Sequence, residues 1–330
     1  MQSYPFIDIQ DAILRINLWA KQKKAFFFAF DYNLHHAIAL LADEIDAENI
    51  LYKIGGYTNE SMQNDSLPAN LVWQPQPLSF ADYSKKCTYV KEQIQLGNSF
   101  LVNLTQPTPI QTNVSLQDLY QLTDAKYKLW VKNHFVVLSP EPFIRIQGLH
   151  ISSFPMKGTI DASIPNAEKI ILENPKEEAE HATIVDLIRN DLSMIATDVH
   201  IKRYRYIEHI QSLQKHLLQV SSEICGTLPS NYHENLGTMI RKLLPAGSIS
   251  GAPKTKTLDI IQSAEGYDRN FYTGICGYFD GENLDSAVMI RFIEQQDSQL
   301  VYKSGGGITA NSDIQTEYEE LIQKIYVPIR

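Results

Sequence analysis

Lys157 lies in Pro155-Met156-Lys157-Gly158-Thr159, where a proline upstream and a glycine directly after it restrict where the amine can go. An amine placed in this way is a candidate nucleophile, and Gly158-Thr159 can bring backbone close against a small anion. Taken alone, a hairpin lysine turned to water is the commoner outcome. Glu177 and Glu180 stand three apart at the start of one expected helix, and Glu317 and Glu320 repeat the spacing on the last, so each pair shares a face. Four carboxylates from two helices, if they converge, form a hard-oxygen site suited to Mg2+. Acidic residues in a first helical turn are also what the helix dipole favours. Arg291 ends the apolar stretch from Ala287 to Phe292, where a guanidinium is costly without an anion; a substrate carboxylate and an internal ion pair both answer that need. Gly305-Gly306-Gly307, read as the turn after a strand ending at Lys303, can offer successive N–H groups to a carboxylate or phosphate, or simply turn the chain. Lys324, four residues after Glu320, is either a surface ion-pair partner or a second cation for an anionic ligand.

The elements that must position these groups can be read from spacing. Ser79 with Asp82 caps a helix running to Gly97, and a strand follows over Phe100 to Thr105. His134 to Leu138, Phe143 to Gln147 and His150 to Phe154 read as short strands. Ala179, Thr183, Ile184, Leu187, Ile188 and Leu192 fall on one helical face and predict a helix from Glu177 to Leu192. Tyr272 to Phe279 and Leu284 to Phe292, joined by Asp280-Gly281-Glu282-Asn283, read as a long hairpin, with Leu300 to Lys303 as a third strand. Ser312 with Gln315 forms a capping box for a last helix through Tyr326. Strand-rich stretches with helices between them give the α+β class. Asn59 to Pro77 reads as a linker between a short N-terminal layer, residues 1–78, packed on the main body, and a catalytic region, residues 79–330.

Composition removes several classes. A hydrophobic content of 44% over 330 residues supports a large core, and a net charge of -9 argues against nucleic-acid or anionic-membrane partners. Cys87, Cys225 and Cys276 form no CxxC pair, which argues against zinc and fits a reducing compartment. No charged segment leads into an apolar run at the start, and Ala25 to Phe30 is too short to span a membrane, so the expected location is cytoplasmic. GxGxxG, HExxH and GxSxG are absent, and the glycine spacing of Gly247 to Lys254 is wrong for a phosphate loop.

Taken in order, Ser139-Pro140-Glu141, Pro155 to Thr159, Glu180-His181 with Ile184 to Leu192, Gly247 to Lys254, Gly274 to Phe279, Ile290-Arg291 and Gly305 to Ile308 resemble the chorismate-utilising enzymes. The resemblance spans roughly residues 80 to 330, far more than a lone motif. It implies one large chorismate-binding domain of two facing, mainly antiparallel sheets with helices outside and the substrate between them. It also implies Mg2+ held by Glu180 and Glu320 with Glu177 and Glu317 near, and substrate contacts from Gly158, Thr159, Tyr278, Arg291, Gly305, Gly306, Gly307 and Lys324.

Within that family the lysine position separates branches. The sequence looks like the aminodeoxychorismate synthase component I type, whereas anthranilate synthases carry alanine there. The resemblance then implies that Lys157 attacks C2 of chorismate while Glu141 passes protons to the departing hydroxyl and the incoming amine. Burial and nearby positive charge are expected to lower the Lys157 pKa and leave the amine neutral. The product would be 4-amino-4-deoxychorismate, for 4-aminobenzoate and folate synthesis. Isochorismate and salicylate synthases resemble a variant with a water-activating lysine where this chain has Leu101, which cannot take a proton. Ammonia-using members often have glutamine at Leu101, and a histidine where Gln219 stands here. No Gly-x-Cys-x-Gly elbow is present, so ammonia from glutamine would come from a separate amidotransferase subunit.

Overall fold

Phe26-Phe27-Phe28-Ala29-Phe30 is apolar at every position and buried at every position, because this strand has protein on both faces. Phe26, Phe28 and Phe30 pack with the helices Ile9–Lys21 and Leu236–Lys242, while Phe27 and Ala29 pack against Tyr52, Leu129 and Val137 of a second sheet. Each such burial contributes about 1.5–3 kcal/mol for a large apolar side chain. The same two-layer logic organises the whole chain. The structure, a computed structural model, describes residues 5–60, 70–211 and 216–327.

The described residues form a ten-stranded and a nine-stranded sheet, with antiparallel pairing throughout the registers. They face each other across one apolar layer, and the helices lie outside, giving the expected α+β sandwich. The N-terminal stretch is part of both sheets and not a layer laid on them: Phe26–Phe30 pairs with Ile275–Phe279, and Ile50–Ile54 pairs with Tyr127–Val131. Much of the linker expected over Asn59 to Pro77 lies outside the described residues, and its last part, Trp73–Pro75, is a strand paired with 110–112.

Three elements differ from the sequence reading. The glycine run does not end a strand: Gln299–Ile308 continues through it, with Gly305 opposite Thr105 and Gly307 opposite Asn103. A Cβ on Gly305 would stand 2.7 Å from Leu104 O, so the glycine permits close pairing and not a turn. The hairpin strand expected over Leu284 to Phe292 stops at Val288; the chain then crosses between the layers, and Phe292–Gln296 pairs in the nine-stranded sheet. The last helix, Ile314–Gln323, is capped by Asp313, whose carboxylate accepts from Thr316 N at 2.9 Å, and not by Ser312. The helices Phe80–Gln95 and Pro175–Ser193 form where spacing placed them, the first capped by Ser79.

Candidate active site

Two crossings between the sheets supply a polar group each. Glu141 lies where Phe135–Ser139 of one sheet hands over to Pro142–Gln147 of the other, and Arg291 lies in the return crossing with φ of +51°. Lys157 projects from Met156–Asp161, an edge strand whose register slips between Met156 and Thr159, and the glycines come from Gln299–Ile308. The helices Pro175–Ser193 and Ile314–Gln323 bring the carboxylates, and Lys324 caps the second of them.

These groups converge. Lys157 Nζ stands 2.8 Å from Glu180 Oε2, with its side chain 24% exposed and that of Glu180 8% exposed. Glu320 and Glu177 also act on the Lys157 charge, so carboxylates of both helices surround one amine. Gly158, with φ of +86°, leaves the space a Cβ would fill at 2.8 Å from Glu177 Oε2. A Cβ on Gly307 would lie 3.6 Å from Lys157 Nζ and 3.0 Å from Leu101 Cδ1; one on Gly306 would lie 3.6 Å from Glu317 Oε2 and 3.8 Å from Lys324 Nζ. Lys324 Nζ pairs with Glu320 at 2.6 Å and donates to Gly305 O at 3.0 Å.

The electrostatics correct one expectation. Burial pulls the Lys157 pKa down, but Glu180, Glu320 and Glu177 outweigh it, and the net shift is upward. The carboxylates hold the proton on, and positive neighbours do not drive it off. For Lys324 the balance is reversed: burial wins over Glu320, helped by Lys157 and Arg291, and its pKa is lowered. Glu141 is pushed up by burial, against the Ser248 hydrogen bond and the charges of Arg291 and Lys324. A carboxyl held toward its protonated form is what a proton donor needs. Ser248 Oγ donates to Glu141 Oε1 at 2.7 Å.

Arg291 is met by aromatic rings, with its guanidinium 5.0 Å from the Tyr326 ring centroid and its pKa raised despite burial by Tyr302, Tyr326 and Tyr272. Tyr278 is placed elsewhere. Its ring stacks with Tyr52 at 5.5 Å and Tyr57 at 4.7 Å, on strands at the far end of the nine-stranded sheet from the glycine run. Tyr272, six residues earlier, is one of the three tyrosines within electrostatic reach of Arg291. Thr159 lies opposite Gln219 on the neighbouring strand.

Sequence reasoning also passed over Ser248 as an individual residue. The stretch that misses the phosphate-loop spacing forms a short helix, Gly247–Ser250, and then a bridge in which Gly251 pairs with Val102. A Cβ on Gly251 would collide with Leu101 O, so this glycine seats the segment against the strand and lets Ser248 reach Glu141.

The carboxylate set offers only hard oxygen donors, and Gly306 leaves space beside Glu317; both features fit Mg2+. Among the described residues no group of three or more His, Cys, Asp or Glu side chains closes on one metal-sized point; ammonium groups stand among the carboxylates instead.

The chorismate binding enzyme family matches residues 7–330. The chain belongs to that family. It is therefore an enzyme of the chorismate-using class. It is 46% identical over 321 residues to an uncharacterized PabA-like protein of Haemophilus influenzae, covering 97% of each chain. It is 30% identical to aminodeoxychorismate synthase component 1 of Salmonella typhimurium, over 77% of this chain and 58% of that one. An anthranilate synthase component 1 from Acetivibrio thermocellus stands at the same 30%, over 75% of this chain and 52% of that one. The fold matches a putative 2,3-dihydroxybenzoate-specific isochorismate synthase of Bacillus anthracis with a TM-score of 0.73 at 20% identity, covering 98% of this chain and 90% of that one. No described helix is long and apolar enough to cross a membrane.

Proposed function

We propose that this chorismate-using enzyme is an aminodeoxychorismate synthase component I, joining ammonia to C4 of chorismate through a covalent Lys157 adduct. One observation supports the reading: the Lys157 amine is held among Glu180, Glu320 and Glu177 beside Gly307, so it is drawn in among charged groups and not turned out to water. Overall identity does not choose the branch, because relatives named for either activity stand at 30%.

The atoms balance in two steps. Neutral Lys157 attacks C2, the ring double bonds shift, and the C4 hydroxyl leaves as water with a proton from Glu141; the adduct is a secondary ammonium and Glu141 a carboxylate. Ammonia then attacks C4, the C2–N bond electrons return to Lys157 as a neutral amine, and Glu141 takes a proton from the new C4 ammonium. Two displacements retain configuration. Mg2+, where bound by Glu180 and Glu320 with Glu177 and Glu317 near, would anchor the ring carboxylate and neutralise the charge that holds the proton on Lys157. Arg291 and Lys324 supply cations for the remaining anionic oxygens, and Leu101 offers no base for water. Ammonia derived from glutamine would come from an amidotransferase subunit.

Incubating the chain with chorismate, Mg2+ and ammonium, and identifying the product, tests the reading. Aminodeoxychorismate that becomes 4-aminobenzoate only when a lyase is added is the expected result. Anthranilate formed without a lyase assigns the chain to the other branch.

A further inference from the structure

Behind Glu141 lies a small cavity with room for about one water-sized molecule, close to 20 Å³. Its lining reaches Phe154 and Pro155, just before the strand that carries Lys157, but does not include Lys157 itself. Its wall is mostly apolar, with Phe143, Leu192, Leu243 and Val288 among its lining; its polar side chains are Glu141, Asp191, Ser248 and Ser153, the last already donating to Phe143 O. Glu141 and Ser248 are joined by their 2.7 Å hydrogen bond. Asp191 lies beside Gly247, whose absent Cβ would stand 3.2 Å from Asp191 Oδ2, and both Asp191 oxygens accept from Lys254 Nζ at 3.0 Å. Lys254 also donates to Leu243 O at 3.2 Å, so one ion pair ties down the residues that wall the cavity.

We propose that this cavity holds the ammonia consumed in the second displacement and delivers it to Glu141. The inference rests on the amination reading above. Size and polarity select the occupant. A cavity needs about 10–15 Å³ to hold one water, and ammonia is of the same size, so there is no space for a larger amine. While Glu141 is protonated, the apolar wall disfavours ammonium, because the other lining carboxylate, Asp191, is already paired with Lys254, and the cavity admits the neutral molecule whose lone pair the reaction needs. Glu141 touches both the cavity and the leaving-group chemistry. Once it has given its proton to the departing hydroxyl, its carboxylate can accept an N–H from ammonia and, after C4–N bond formation, the proton. The same carboxyl thus couples departure of the hydroxyl to entry of its replacement.

Leu243 is buried in the cavity wall and belongs to neither the acid nor the nucleophile, so it can be changed in both directions. The experiment compares wild type, Leu243→Phe and Leu243→Ala with chorismate and Mg2+, using ammonium or methylammonium as the nitrogen source. Adduct on Lys157 is read by intact mass and product by liquid chromatography with mass detection. Adduct formation needs no ammonia, so it reports folding and the first step independently. Wild type is expected to use ammonium and reject methylamine. Leu243→Phe should form adduct normally while its KM for ammonium rises about tenfold or more through overpacking. Leu243→Ala should begin to yield the N-methyl product.

An unchanged ammonium KM in an adduct-forming Leu243→Phe, or equal use of methylamine by wild type, overturns the proposal. If Leu243→Phe forms no adduct, the methylamine result with Leu243→Ala decides. Failure of wild type to aminate chorismate at all would instead defeat the parent reading, and the two failures are distinguishable.

Discussion

Ser248 Oγ donates to Glu141 Oε1 at 2.7 Å, and it is the direct hydrogen-bond support for a carboxyl that burial pushes toward its protonated form. The donor stabilises the charged carboxylate, so removing it raises the Glu141 pKa further. If Glu141 must be protonated for the first step, adduct formation falls as pH rises through that pKa. Ser248→Ala should therefore move this basic limb to higher pH, and Glu141→Gln should remove it while slowing the step on the order of 10²–10⁴-fold. Single-turnover rates across a pH series read both. A limb that stays in place in Ser248→Ala would show that another group sets it.

Two glycines with positive φ separate backbone strain from site chemistry. Gly158 has φ of +86° and no room for a Cβ beside Glu177, whereas Gly148 has φ of +60° and nothing within 4 Å of a Cβ. Alanine at either position should cost about 1–2 kcal/mol of stability from the left-handed backbone. Only Gly158→Ala should also displace a carboxylate and depress kcat with chorismate. Denaturation midpoints alongside kinetics distinguish the two effects.

A buried ion pair braces the strand that pairs with the glycine run. Arg269 and Glu265 have side chains only 1% and 2% exposed and approach to 2.5 Å. Arg269 also donates to Asn103 O and Ile249 O, and Glu265 accepts from Thr105 N and Oγ1. Removing one partner strands a buried charge, and Arg269→Ala should destabilise the fold by about 3–5 kcal/mol. Urea unfolding measures it.

The sequence exposed the chemistry more readily than its placement. The capped helix at Ser79 and the helix carrying Glu177 and Glu180 follow local rules, so spacing was enough to find them. The continuation of a strand through Gly305-Gly306-Gly307 depends on pairing with Asn103 to Thr105, two hundred residues away, and local propensity favours a turn there. Arg291 read as a strand end because nothing local marks the crossing between the two sheets. Tyr272 and Tyr278 bracket one short stretch that holds Gly274 and Gly277, and only the tertiary fold sends one toward Arg291 and the other between Tyr52 and Tyr57. The upward pKa shift of Lys157 has the same origin: it depends on how closely three glutamates of two separate helices approach the amine.

The central claim is a covalent bond between Lys157 and the substrate ring. Intact-mass analysis of the protein mixed with chorismate and Mg2+ but no ammonium measures it directly. A gain equal to chorismate less one water, localised to Lys157, cleared on adding ammonium and absent from Lys157→Ala, is the predicted result. Normal aminodeoxychorismate production by Lys157→Ala, with no adduct on wild type, would contradict it.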